Sequence, residues 1–276
     1  MDEFGSFIKT VGGGEGDRCK YPTRLDMYGC GCQHNCQYCY ARSLLEFRNL
    51  WNPDSPRSAS RDKVRPHLDN IPEGTIVRLG GMTDPFQPLE SQLRHTEWLI
   101  GELNDRNIGY LIVTKSARVL DCKTLDKDLA HIQISYTHSE GRAPKDFECA
   151  SPPRERLEAV SQLYGQGYDV AIRLSPFIPK FVDMKQVVAS PCDKIVVEFL
   201  RVNTFIKRKL PSLSFTDWRV KYGGYQHMSI NRKMEYLQPL IGSGKQITVC
   251  EDFPKHYDWF REHINANKDD CCNLRL

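Results

Sequence analysis

Cys32, Cys36 and Cys39 stand in the order CxxxCxxC within the segment Tyr28-Gly-Cys30-Gly-Cys32-Gln-His34-Asn-Cys36-Gln-Tyr38-Cys39-Tyr40-Ala-Arg42. Three thiolates so close together can wrap one cuboidal cluster and leave one iron without a protein ligand. An open iron is what a chelating substrate needs, just as a catalytic zinc keeps one open position. Soft thiolates select iron–sulfur clusters or zinc. A zinc site that adds Cys30 as fourth ligand is the competing reading. Zinc ribbons and fingers use two ligand pairs about a dozen or more residues apart, and no matching pair stands at that distance here.

The elements that must position these cysteines are short. Strand-like runs fall at 24–28, 75–79, 110–114, 132–136, 169–174, 194–200 and 246–250, several of them rich in Val and Ile and bounded by Gly, Pro or charge. Between them lie helical patterns. Leu89, Leu93, Thr96, Ile100 and Leu103 recur at a helical period, and Leu157, Val160 and Leu163 form a stripe across 152–165, with a weaker third pattern over 231–241. Repeated β-then-α order predicts a parallel sheet, as a complete or partial barrel or a doubly wound sheet. In such folds chemistry sits in the loops after the strands' C-terminal ends, and the first strand runs straight into the cysteines.

The chain of 276 residues can bury a full core as one large domain or two small ones. A lead-in over 1–20, flexible at 12–16, a barrel over 21–250 and a C-terminal helix and tail over 251–276 are the expected divisions. No apolar run reaches about eighteen residues, so no membrane span is expected. The first residues lack an apolar core, so the expectation is no signal peptide and a cytoplasmic protein. Eleven cysteines, an odd number, fit metal or cluster ligation better than a disulfide framework. A net charge of +3 is too mild to indicate a nucleic-acid binder by itself.

CxxxC followed by x-aromatic-C in the loop after the first strand of a β/α chain resembles the radical S-adenosylmethionine (SAM) superfamily. Further segments are similar to its branch containing spore photoproduct lyase and photolyase-like relatives. They are Cys36-Gln-Tyr-Cys-Tyr-Ala-Arg42, Gly81-Met-Thr-Asp-Pro-Phe-Gln-Pro-Leu-Glu90, Thr114-Lys-Ser116, Ile134-Ser-Tyr136, Arg173-Leu-Ser-Pro-Phe-Ile-Pro179 and the tail Asp269-Asp-Cys-Cys-Asn-Leu-Arg275, the tail resembling bacterial and phage-borne members. The resemblance implies a partial (β/α)6-type TIM barrel with a C-terminal extension. It implies a [4Fe–4S] cluster on Cys32, Cys36 and Cys39, and SAM on the fourth iron. A reducing partner such as a flavodoxin or ferredoxin is implied as well. One-electron reduction would cleave SAM to methionine and a 5′-deoxyadenosyl radical that abstracts hydrogen from a substrate, in lyase-type, isomerase-type or base-modifying chemistry.

The same resemblance places Tyr38 near the adenine of SAM. Where most of the superfamily carries a GGE-like run, this chain has Gly80-Gly81-Met82-Thr83-Asp84, so Thr83 and Asp84 would substitute. Gly80 and Gly81 suit close backbone approach, while Asp84-Pro85 also reads as an ordinary strand-ending turn. Lys115, Ser135, Arg173 and Glu198, at or near strand ends, are candidate SAM contacts; Arg173 reads almost equally as a structural ion pair. Spore photoproduct lyase returns a hydrogen atom from a cysteine outside its cluster motif. Cys250, Cys271 and Cys272 are the candidates here, on the expectation that the tail folds over the barrel mouth. Taken singly, Cys19, Cys122, Cys149, Cys192 and Cys250 each read better as small buried hydrophobes.

The stretches Arg201-Val-Asn-Thr-Phe-Ile-Lys-Arg-Lys-Leu210 and Trp218-Arg-Val-Lys-Tyr-Gly-Gly-Tyr225 mix basic and aromatic residues. They suit phosphates and stacked or flipped bases, or else a solvated face beside a core Trp. The readings that follow are a nucleic-acid base or nucleotide substrate (lesion repair or thymine-type modification), a peptide or small-metabolite substrate, and a non-enzymatic zinc or iron–sulfur module.

Overall fold

Runs of β-branched and aliphatic residues pack as strands because their stiff side chains fit a pleated, buried surface. They do so throughout this chain, in a computed structural model that describes residues 4–12 and 16–275. In chain order the strands are β1 (Ile8–Thr10), β2 (Thr23–Leu25), β3 (Tyr28–Gly29), β4 (Arg57–Ser58), β5 (Ile76–Leu79), β6 (Gly109–Thr114), β7 (Ala130–Ser135), β8 (Asp169–Phe177), β9 (Lys194–Phe199), β10 (Trp218–Tyr222), β11 (Tyr225–Met228) and β12 (Gln246–Val249). Among the described residues one sheet has eight strands in the order β1-β2-β5-β6-β7-β8-β9-β12. Apart from the antiparallel β1–β2 pair, its pairings are parallel. The expected partial barrel is therefore present, with β12 as a further parallel strand beside β9, and the sheet stays open between β1 and β12.

Alternation along each strand separates two environments. Val77, Ile112, Ile134, Ile172 and Val197 point outward into the main core, against Leu99, Leu103, Val160 and Leu163 of the helices. Each such side chain contributes roughly 1.5–3 kcal/mol by leaving water. The opposite face turns Arg78, Val113, Ser135, Arg173 and Glu198 into the barrel.

Three expectations change. The pattern from Leu89 to Leu103 is two helices, Glu90–Leu93 and His95–Asn104, hinged at Arg94 with φ +49°. The carboxylate of Glu90 accepts from the backbone N–H of Thr96 at 3.0 Å and Glu97 at 2.9 Å, capping the second helix from inside the first. The lead-in is also partly ordered: Phe7 is buried and Ile8–Thr10 is the edge strand β1, while residues 13–15 of the flexible stretch lie outside the described residues. Among the described residues no helix is long and apolar enough to cross a membrane.

The C-terminal tail does not fold over the mouth of the barrel. It enters the lumen from the opposite end, because inward-facing polar side chains there satisfy its backbone. Thr248 donates to the carbonyl of Cys271 at 2.7 Å, Gln133 to that of Cys272 at 3.0 Å and Lys194 to that of Asn273 at 2.8 Å. Asp169 accepts from the N–H of Arg275 at 2.8 Å, and Tyr21 donates to Asp270 at 2.8 Å. Asp169 and Lys194 open their strands, which fixes the tail at the strands' N-terminal ends.

Asp169 ties this clasp together. Burial pushes its carboxyl up, but His131, Lys194 and the Arg275 N–H outweigh that and hold it at about 2. A depressed carboxyl stabilises the fold above its unfolded value near 3.9 and loses that contribution as pH falls toward the folded value. The shift is worth about 2 kcal/mol. Urea unfolding should therefore show the wild-type advantage over Asp169→Asn shrinking as pH falls from about 4 to about 2. A gap that stays constant over that range would contradict this role.

Candidate functional site

The loops at the C-terminal ends of the strands surround one cavity of about 490 Å³, within the range of small-molecule and cofactor sites. Cys32, Cys36, Tyr38 and Cys39 reach it from the loop after β3, Gly80, Gly81, Thr83 and Asp84 from the loop after β5, and Lys115 from beyond β6. Ser135, Arg173, Glu198 and Cys250 close its floor from β7, β8, β9 and the end of β12. Cys271 and Cys272 are not among its lining residues; they pack with Tyr21, Leu111, Tyr257 and Leu274 in the lumen. All the described cysteines are free thiols.

The cysteine loop owes its shape to local turns. Cys30 has φ 55° and Asn35 φ 43°. The carbonyl of Cys30 accepts from Asn52 N–H at 2.8 Å, and a Cβ on Gly31 would stand 1.9 Å from the carbonyl oxygen of Asn52. Cys30 is held at that turn and does not line the cavity. Cys39 caps the helix Tyr40–Phe47, its Sγ accepting from the N–H of Arg42 at 3.4 Å. A helix N-terminus favours a thiolate.

Burial raises all three thiols of the triad. Cys32 is pushed up to about 12 by desolvation and then by the charge of Asp84. Desolvation and then Glu148 raise Cys36 well above its ordinary range, and desolvation raises Cys39. Cys39 also raises Cys32, and both raise Cys36; such desolvated sulfurs are poor thiolates alone and good ones around a cationic centre. That donor set fits an iron–sulfur cluster.

The loop after β5 is built by buried carboxylates. Asp26 accepts from Gly81 N–H at 2.9 Å and Met82 N–H at 3.0 Å. Gly80 has φ 92°, and a Cβ there would lie 2.5 Å from the carbonyl oxygen of Val113. A Cβ on Gly81 would lie 2.8 Å from Asp26. Thr83 spends its hydroxyl on the carbonyl of Tyr28 at 2.9 Å. Asp84 accepts from Phe86 N–H at 2.9 Å, Thr114 hydroxyl at 2.6 Å and Lys115 N–H at 2.7 Å, with His34 Nδ1 3.3 Å away. Against the upward push of burial, His34, Thr114 and Lys115 hold its carboxyl at about 2. Both side chains line the cavity while also holding the loop that shapes it.

The remaining candidates differ in how committed they are. The hydroxyl of Ser135 is buried without a partner. The ammonium of Lys115 lies 5.8 Å above the Tyr38 ring. Arg173 donates to Gln133 at 2.6 Å and to Glu198 at 2.7 Å, leaving its Nε unpartnered. Glu198 also accepts from Ser175 at 2.8 Å. Burial pushes its carboxyl up, yet Arg173 and Arg201 bring it to about 2.

Sequence reasoning missed two groups. Arg24 and Arg78 line the cavity beside Gly81; their place at inward positions of apolar strands was a readable signal. Glu148 had none, since it sits in a long irregular loop. It accepts hydrogen bonds from the hydroxyl of Tyr38, the guanidinium of Arg156 and, at 2.9 Å, Thr137, and it faces Cys36 Sγ at 4.0 Å. Arg156 also bonds the carbonyls of Ser151 at 2.6 Å and Ser135 at 3.1 Å. This buried pair anchors the far side of the cysteine loop.

No family model matches the chain. An uncharacterized protein of Methanocaldococcus jannaschii is 28% identical over 165 residues, covering 57% of this chain and 61% of its own. An uncharacterized protein of Mycobacterium bovis is 24% identical over 168 residues, 55% of this chain and 49% of its own. The match thus spans about half to three-fifths of these relatives. In structure the chain is similar to spore photoproduct lyase complexed with dinucleoside spore photoproduct, at a TM-score of 0.57 and 14% identity, covering 84% of this chain and 76% of that one. A mutant lyase with bound AdoMet and the same dinucleoside gives a TM-score of 0.53 at 15% identity, over 85% of this chain and 78% of that one. The fold is that of these lyases.

Proposed function

We propose that this chain is a radical SAM enzyme acting on a nucleic-acid base or nucleotide. The observation that carries the reading is the convergence of Cys32, Cys36 and Cys39, without Cys30, on a cavity floored by Ser135 and Arg173 and flanked by Gly80 and Gly81. When bound and reduced by one electron from a flavodoxin- or ferredoxin-type partner, the cluster would supply the electron that splits SAM into methionine and a 5′-deoxyadenosyl radical.

The chain's own residues do the rest. Cys32, Cys36 and Cys39 would hold the cluster and leave it one position open for SAM. Lys115 offers a cation to the SAM carboxylate, the free Ser135 hydroxyl offers it a hydrogen bond, and Gly80 and Gly81 let it approach the backbone. Tyr38, fixed by Glu148 and packed 4.7 Å from the Phe147 ring, presents an apolar face.

Support for a base or nucleotide comes from the mouth, where Arg201, Asn203 and Tyr225 line the cavity. Lys207, Arg208 and Lys209 lie on the next helix, and Tyr222 is exposed on β10. Charge for phosphates and rings for bases are the ingredients of nucleic-acid binding, and the structural neighbours hold a dinucleoside lesion. The test is deuterium transfer from labelled thymidine-containing oligonucleotides into 5′-deoxyadenosine, with DNA affinity measured against salt. Transfer with a steep salt slope supports the reading. Transfer only from a peptide or small metabolite overturns the substrate and keeps the enzyme class.

We infer that Cys250, the one of the three candidate thiols that lines the cavity, returns a hydrogen atom to a substrate carbon radical. The S–H bond breaks, a C–H bond forms, and the sulfur radical left on Cys250 is restored by one electron and one proton from the reducing partner. Cys250→Ala is expected to keep SAM cleavage and lose most substrate product, checked by comparing 5′-deoxyadenosine with product in one assay. Parallel loss of both would give Cys250 a structural role instead.

A further inference from the structure

A second polar locus meets the cavity wall at Asp252, where β11 brings His227 to the turn after β12. A ring nitrogen of His227 and one carboxylate oxygen each of Glu251 and Asp252 lie within 4.8 Å of one another. His227 is 2% exposed, and its Nε2 is buried without a partner, as is Oδ1 of Asp252. The far sides of all three groups are occupied. Arg201 donates to Asp252 Oδ2 at 2.6 Å, Lys233 donates to Glu251 Oε1, and His227 hydrogen-bonds the backbone of Tyr222.

Buried polar atoms in folded proteins nearly always find partners, so two orphans on the residues of one such cluster call for a missing one. What fits is set by the donor types. Two carboxylate oxygens and an imidazole nitrogen are all acceptors toward a common point, and a ligating histidine is usually steadied by a backbone bond from its other nitrogen. The cations Lys233 and Arg201 share the carboxylates' charge from behind, so an ion would be held by coordination bonds more than by net charge.

We propose that His227, Glu251 and Asp252 bind one divalent first-row transition-metal ion, with zinc the ion best matched to one imidazole and two carboxylates. The site uses none of the triad cysteines and stands whether or not the chain cleaves SAM.

Cluster-loaded protein, prepared anaerobically and dialysed against zinc, provides the test, with X-ray absorption at the zinc edge reading the ligands. About one zinc per chain in a nitrogen and oxygen shell is expected. His227→Ala and Asp252→Asn should each weaken binding by roughly a hundredfold or more. Asp252 is half-buried and its asparagine is isosteric, so an unchanged melting temperature in Asp252→Asn separates ligand loss from misfolding. Zinc held through sulfur, zinc retained by both variants, or no zinc bound would overturn the site.

Discussion

Cys32→Ala, Cys36→Ala and Cys39→Ala are each expected to leave the protein without its iron and without SAM cleavage, while Cys30→Ala retains both. The contrast follows from geometry. The three sulfurs share the cavity, whereas Cys30 is turned away at a left-handed position whose carbonyl is bonded to Asn52. Removing one thiolate leaves two ligands for a cluster that needs three. Iron content and 5′-deoxyadenosine formation, measured on all four variants side by side, check the expectation. Iron loss in Cys30→Ala as complete as in the others would mean that the ligand set is wrong.

Arg156→Met should carry the largest stability effect of any substitution around the site. Arg156 and Glu148 are both 1% exposed in their side chains. Burial pushes Glu148 up, and Arg156, Lys115 and Tyr38 bring it down to about 2. Removing the guanidinium strands a carboxylate in the interior beside Tyr38 and Cys36, a change that costs about 3–5 kcal/mol. For a chain of this length that lowers the melting temperature by on the order of 10 °C. Replacing the pair together, Arg156→Met with Glu148→Leu, should cost less than Arg156→Met alone, because no unpaired charge remains. Thermal melts of the single and double variants check this. A double variant less stable than Arg156→Met would show that Glu148 does more for the fold than balance Arg156.

Some of this was legible in the sequence. The strands were, because Ile-Val, Leu-Ile-Val and Ile-Val-Val runs are short, apolar and β-branched, and the cysteines announced themselves by spacing. The hinge at Arg94 was not, because the apolar period continues through it and Glu90 makes the break by capping a helix that starts five residues later. Arg24 and Arg78 were readable in principle as charges at alternate positions of apolar strands, the pattern that did bring out Arg173. Glu148 and the luminal tail were not, since their meaning lies in partners such as Tyr38, Gln133 and Lys194, far off in sequence. Asp84 shows the same limit from the other side: its place in the loop was evident, but not that Thr114, Lys115 and Phe86 already occupy its oxygens.

All of the chemistry proposed for this chain depends on a cluster held by Cys32, Cys36 and Cys39 that cleaves SAM. Anaerobic reconstitution with iron and sulfide, followed by reduction in the presence of SAM, tests it most directly. The expected product is a brown protein with about four irons per chain that releases methionine and 5′-deoxyadenosine. A colourless protein that holds zinc on these cysteines and leaves SAM intact would contradict it.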